Sequence, residues 1–134
     1  MNNEEVWFSD YKSKQGNIGL GQAIAYYMSK GYVVLLPIND TQSYDLVVDK
    51  LDGNGLRRVS VKTTRFKRNK RSYIVQLSNT GGSSGNNKIR YFDSNSSDLI
   101  FIYTISQEIW EIPSKDIVAK RSINLGEKYN KYRI

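Results

Sequence analysis

The sequence contains neither cysteine nor histidine. Without cysteine there are no disulfides and no thiolate metal sites. Without histidine there is no imidazole acid–base catalysis, no serine–histidine triad and no histidine-ligated zinc. Any hydrolysis must therefore rely on carboxylates, lysine and a hard, oxygen-seeking cation such as magnesium. No apolar run approaches the roughly 20 residues that cross a bilayer. The opening MNNEEVWFSDYKSK lacks the basic-then-apolar layout of a secretory signal, so a cytoplasmic protein with no membrane partner is expected.

What is present describes an ordinary globular chain. At 134 residues, with 39% hydrophobic and 25% charged residues, the length and composition suit one core and one domain spanning 1–134. The formal net charge of +7 favours a polyanionic partner. Nothing reads as an amphipathic membrane helix, which directs that expectation to nucleic acid.

Residues 17 to 30, NIGLGQAIAYYMSK, read as a helix. Leu20, Ile24, Tyr27 and Met28 form one apolar stripe, Asn17 serves as N-cap and Gly31 as the stop. Gly19 and Gly21 in its first turn weaken it, by about 1 kcal/mol each relative to alanine, and let a backbone or ligand approach closely. The run YVVLL (32 to 36) predicts a buried strand ending at Pro37. Strands follow near 44–50 and 56–64, then at 72–77, 98–104 and 108–112, the last two as a hairpin about Ile105, Ser106 and Gln107. SNTGGSSGNN (78 to 87) reads as a loop, PSKDI as a short helical turn and SINLGEKYNKYRI as a last extended piece. Trp7 and Trp110 are expected in the core or at a subunit contact. One helix followed by a run of strands predicts an α+β fold, with a central mixed sheet carrying the helix on one face.

Within SYDLVVDKLDGNGLRRVSVKTT, residues 43 to 64, two strands flank a glycine turn and carry one isolated charge each. Alternation places Ser60, Lys62 and Thr64 on one face and Val59, Val61 and Thr63 on the other, against the helix. Asp45 opens the preceding strand, so the acid and Lys62 are expected to meet on the solvent side of the sheet. An aspartate there can hold a cation against a phosphate, and a lysine can orient or deprotonate water. A plain surface ion pair, worth 0 to about 1 kcal/mol, fits the spacing as well.

The order GNIGLGQAIAYYMSKGY, then PINDTQSYDLVVD, then RVSVKTT resembles the PD-(D/E)XK nuclease superfamily. The resemblance is to the small branch that includes group I intron homing endonucleases, with Holliday-junction resolvases further off. It extends to the later glycine loop, the YFD…DLIFIY strand and IWEIP. It implies a restriction-endonuclease-like core. Asp45 would be the metal-binding acid, Lys62 the motif lysine and the Val61 carbonyl a further metal ligand. Ser60 stands where the superfamily has Glu, Asp or Gln, and Leu20 where it often has a helical glutamate. One certain carboxylate implies weakly bound Mg²⁺ (or Mn²⁺). Gln22, or an acid of the opening segment (Glu4, Glu5 or Asp10), would complete the site.

Residues 65 to 71, RFKRNKR, hold five cations in seven positions: Arg65, Lys67, Arg68, Lys70 and Arg71. They predict a finger beside the site that grips DNA phosphates, with Lys88 and Arg90 extending the positive surface. Phe66 and Tyr73 would stack on a base or rest on the sheet. The expected activity is a metal-dependent endonuclease acting on double-stranded or branched DNA, as a homodimer or larger homo-oligomer associated with the nucleoid of a bacterial, archaeal or phage-infected cell. Two alternatives carry the same features: a catalytically degraded DNA-binding module of this fold, and a small RNA-binding or phage accessory protein.

Overall fold

The structure is a computed structural model, and it describes residues 12–68, 70–80 and 88–134. Expectations for Glu4, Glu5, Trp7, Asp10 and most of the glycine-serine loop lie outside the described residues. Helix α1 spans Lys12–Ser29. Asn17 is thus an exposed residue inside the helix rather than its cap. Gly16, Gly19 and Gly21 do not break it, because a helix in a folded protein draws most of its stability from packing rather than propensity. It ends as the sequence suggests. Gly31 adopts φ 77°, its N–H donates to the Met28 carbonyl at 3.0 Å, and the Tyr32 N–H reaches back to Tyr27 at 3.2 Å. That is a Schellman end, which glycine enters without strain.

The strands are β1 (Val33–Leu35), β2 (Leu46–Asp49), β3 (Leu56–Thr64), β4 (Lys67–Arg68), β5 (Ser72–Gln76), β6 (Asn79–Thr80), β7 (Ile89–Arg90), β8 (Leu99–Thr104), β9 (Ile109–Pro113) and β10 (Ser122–Asn124). The main sheet runs β1-β2-β3-β8-β9, with β3 and β8 parallel and the other neighbours antiparallel. This is the mixed sheet expected for an α+β chain. Every residue of LIFIYT in β8 is buried, as a strand covered on both faces must be. The tail is only partly extended: β10 is followed by a 3₁₀ turn over Glu127–Tyr132.

Two cores sandwich the sheet. On one face α1 contributes Ala23 and Tyr27 to a cluster with Leu46, Val48, Val59 and Phe101. Met28, expected in the apolar stripe, is 63% exposed at the helix end. Gly19 is where helix and sheet come closest, since a Cβ there would lie 2.0 Å from Cγ2 of Thr63. On the other face Ile100, Ile102, Trp110 and Ile112 pack against Tyr73, Val75, Ile123 and Leu125. Those last four belong to or adjoin a second, three-stranded sheet, β10-β5-β4.

That second layer corrects two expectations. The face of β3 carrying Ser60 and Lys62 is not a solvent face, for Ser60 and Thr64 are both buried. Strand β1, conversely, is an edge strand rather than a buried one, with Val33 and Leu35 exposed and Val34 packed inward. The far core includes no residue of β1 or β2. YVVLL therefore gains cover from the helix side alone.

Candidate active site

Asp45 reaches the sheet one residue before β2 begins. Its N–H donates to the Val59 carbonyl at 2.9 Å, and its carboxylate Oδ2 accepts the Val61 N–H at 2.7 Å. The side chain thus takes over the ladder position that the backbone of β2 no longer fills. Because the N–H and C=O of one residue leave a strand toward the same edge, the Val61 carbonyl faces this same gap. Leu46 pairs with Val59, so Asp45 falls opposite Ser60, on the face shared with Lys62. Asp45 and Lys62 therefore do share a face, as the alternation predicts.

These residues open into a cleft of about 630 Å³. Asp45, Ser60, Val61 and Lys62 line it from the main sheet side, Leu77 from just past β5, Asn79 from β6, and Arg90 to Asp93 from the segment before β8. The loop leading into Asp45 supplies another wall. Among the described residues ion pairs join Lys50 to Glu111, Arg57 to Asp52, Arg58 to Asp98 and Arg133 to Glu108. Asp45 and Lys62 form none, although each feels the other's charge. A surface ion pair thus does not account for them.

Their protonation is set chiefly by desolvation. Burial raises the Asp45 carboxyl above the ordinary aspartate range, opposed by the Val61 N–H and then by Lys62. Burial likewise lowers the Lys62 ammonium below the ordinary lysine value, and Asp45 only partly offsets it. Asp45 remains exposed at the cleft, so water and solutes reach a carboxylate that the surrounding protein solvates poorly. Both groups are held where their charged forms lack full compensation, which is the state in which a bound cation or phosphate would supply it.

A clamp fixes the cleft wall. Arg58 on β3 donates to both carboxylate oxygens of Asp98, through Nε at 3.2 Å and Nη2 at 3.2 Å, and its own N–H meets Asp98 at 2.7 Å. The same guanidinium reaches the carbonyl of Asn95 at 3.1 Å, and Ser43 Oγ donates to the carbonyl of Ser96 at 2.9 Å. The loop before Asp45 and the loop before β8 are thereby tied together across the mouth. This clamp escapes sequence reading, because its partners are 40 residues apart and nothing in either motif segment marks them as a pair.

Residues 11–133 match the sequence model of the PD-(D/E)XK endonuclease family. The chain belongs to that family. Among solved structures it is similar to a bacterial homing endonuclease, I-Ssp6803I, at TM-score 0.77 and 24% identity, over 91% of this chain and 88% of that one. At that identity the likeness speaks for the shared fold. The comparison with curated proteins finds no match.

Asp45 and Lys62, the acid and lysine expected from the resemblance, line the same cleft, together with Ser60 and Val61. Gln22 does not join them: it is exposed on α1, which packs on the opposite face of the sheet, and it does not line the cleft. Among the described residues no three carboxylates converge on one point. Asp40 and Asp93 line the cleft at its rim. The donors that do meet there are oxygens: a carboxylate, a hydroxyl and a backbone carbonyl. Such a set fits Mg²⁺ or Mn²⁺, which keep several waters and accept one or two carboxylates.

The basic residues divide. Arg90 lines the cleft, and Lys88 is exposed two residues before it. Arg65, Lys67, Arg68, Lys70 and Arg71 do not line it, against the expectation of a finger beside the site. They sit around β4, beyond the far end of β3, and β5 runs back from them to the cleft at Leu77. Arg65 follows Lys62 by three residues, roughly 10 Å of chain, whereas Lys70 and Arg71 stand about 15 to 20 Å from Leu77 along β5. Lys67 lies over the Tyr73 ring at 4.8 Å and Arg65 over Phe66 at 4.7 Å. Tyr73 is buried in the sheet core, while Phe66 is 61% exposed.

Proposed function

We propose that this chain is a metal-dependent DNA endonuclease that hydrolyses phosphodiester bonds in double-stranded or branched DNA, in the manner of homing or resolving nucleases. The observation that carries the reading is the pair Asp45 and Lys62, unpaired with each other on one face of a cleft in a chain of the PD-(D/E)XK family.

Asp45, with the Ser60 hydroxyl and the Val61 carbonyl, would hold Mg²⁺ or Mn²⁺. When bound, the cation neutralises charge on the phosphate and polarises its oxygens. Lys62, its ammonium weakened by burial, has an accessible neutral form and takes a proton from the attacking water. Its cationic form then steadies the extra negative charge of the transition state. Water adds to phosphorus, the bond to one ester oxygen breaks, and that oxygen leaves with a proton taken from solvent water in the open cleft.

Arg90 and Lys88 contact phosphates at the cleft. The cluster of residues 65 to 71 grips the backbone at a distance. At about 3.4 Å per base pair, separations of roughly 10 to 20 Å correspond to about three to six base pairs. Two antiparallel strands need two sites, so the acting form is a homodimer or larger homo-oligomer, working on DNA in the cytoplasm. The described residues contain no helix long and apolar enough to cross a membrane.

A second reading, a DNA-binding module of the same fold without cleavage, is favoured by Ser60 in place of an acid and by the lack of a three-carboxylate group among the described residues. Incubation with supercoiled plasmid and branched DNA in Mg²⁺ or Mn²⁺ against EDTA separates the two. Cation-dependent nicking that disappears in Lys62→Ala while DNA binding persists supports the nuclease. Equal nicking by wild type and Asp45→Asn refutes it, and binding with no nicking in either cation favours the module.

A further inference from the structure

Gln42 lies three residues before Asp45, in the loop that walls the cleft. Its amide nitrogen donates to the Tyr44 carbonyl at 3.2 Å, the peptide group that leads directly into Asp45. This bond fixes the orientation of the amide, because the reverse assignment would set two oxygens against each other. The amide oxygen, Oε1, is then buried without a hydrogen-bond partner among the described residues. Two other buried side-chain atoms share that condition, Arg57 Nη1 and Trp110 Nε1, but both are donors and neither residue lines the cleft. Gln42 Oε1 is the one acceptor, and it lies beside the site.

Buried carbonyl-type oxygens are seldom left without a partner, since water or a donor nearly always reaches them. An oxygen without a hydrogen-bond donor, lining the same cleft as the Asp45 carboxylate, suits a cation. Hard divalent cations accept neutral amide oxygens alongside carboxylates, and charge count tunes how tightly they bind. We propose that Gln42 Oε1 is a ligand of the divalent cation held by Asp45, supplying a further side-chain oxygen in addition to the Ser60 hydroxyl. The inference rests on the metal-dependent reading above. It accounts for a site with one carboxylate, and it places the missing donor on the loop before β2 rather than on α1, where Gln22 lies.

The test is Mn²⁺ binding to the full-length, metal-stripped protein without DNA, measured by calorimetry and by the paramagnetic signal of free Mn²⁺. Wild type is compared with Gln42→Ala, Gln42→Glu and Asp45→Asn. The expected result is an affinity lower by about tenfold or more in Gln42→Ala, higher in Gln42→Glu, and lost in Asp45→Asn. Wild-type affinity in both Gln42 variants, with Asp45→Asn still defective, overturns the Gln42 assignment and leaves the Asp45 site standing. Wild-type affinity in Asp45→Asn as well overturns both. Should Gln42→Ala fail to fold, Gln42→Glu decides alone: tighter binding supports the assignment, and unchanged or weaker binding overturns it.

Discussion

The carboxylate of Asp45 accepts the main-chain N–H of Val61 at 2.7 Å, so one acid both completes a strand ladder and faces the cleft. These two roles can be separated. Asparagine keeps an oxygen for the Val61 N–H and loses the charge, whereas alanine loses both. Asp45→Asn should therefore fold normally, and its melting temperature at neutral pH should exceed that of wild type. Asp45→Ala should be destabilised by about 1 to 3 kcal/mol, the usual cost of a stranded donor. Both should be unable to nick plasmid. Chemical denaturation alongside a nicking assay checks all three statements.

Lys62 makes a prediction about pH. Its ammonium is lowered by burial, so between its folded value and the ordinary lysine value the unfolded chain binds more protons than the folded one. Stability contributed by this group should rise with pH across that window. Asp45, raised by burial, contributes the opposite slope between the ordinary aspartate value and its own, where the folded chain binds the extra proton. Single-turnover cleavage should climb on the alkaline side as Lys62 becomes neutral. Lys62→Met should abolish cleavage and flatten the alkaline slope of stability; an unchanged slope would remove Lys62 as its source.

Gly19 and Gly21 lie two residues apart on α1 and should respond oppositely to alanine. At Gly19 the new methyl would meet Thr63 Cγ2 at 2.0 Å, an overpacking cost of about 1 to 3 kcal/mol that outweighs the gain in helix propensity. At Gly21 nothing lies within 4 Å, so alanine should stabilise by about 1 kcal/mol. Thermal melts of the two variants decide this.

Tyr27 is fully buried and donates to Glu111 Oε2 at 2.7 Å, while Lys50 pairs with Oε1 of the same carboxylate at 2.5 Å. Removal of the hydroxyl in Tyr27→Phe leaves Glu111 short of a donor at the helix–sheet interface. A loss of about 1 to 3 kcal/mol is expected, with DNA affinity unchanged because the network lies on the face away from the cleft. Denaturant titration and a binding assay measure the two halves.

The five cations of residues 65 to 71 should control affinity more than chemistry. Neutralising all five should reduce the slope of log K against log salt by roughly 4 to 5. Single-turnover cleavage at saturating protein should change far less than affinity does. Filter binding across a salt series measures the slope.

Much of this was legible in the chain order. The period-two pattern of RVSVKTT sorted Val59 from Ser60 and Lys62, and glycine at 31 marked the helix end. The second layer was not legible, because β5 and β10 meet across 45 intervening residues and neither reads differently from a strand of the main sheet. Its presence turns an expected solvent face into a cleft wall. YVVLL misled because an edge strand and a central strand share the same apolar composition; neighbours alone distinguish them. Asn17 misled because α1 begins further upstream than its own apolar stripe. The finger's distance from the cleft depends on β5 running back along β3, which no local signal records.

The parallel pairing of β3 with β8 has a consequence for the order of events in synthesis. Val61 registers with Phe101 and Lys62 with Ile102, so the strand bearing Lys62 gains its inner neighbour only after about forty further residues are made. Such long-range pairings form late, because loop closure costs entropy before any contact repays it. A nascent chain ending near Thr64 would hold Asp45 and Lys62 but no assembled cleft, which forms only once β8 has also been made.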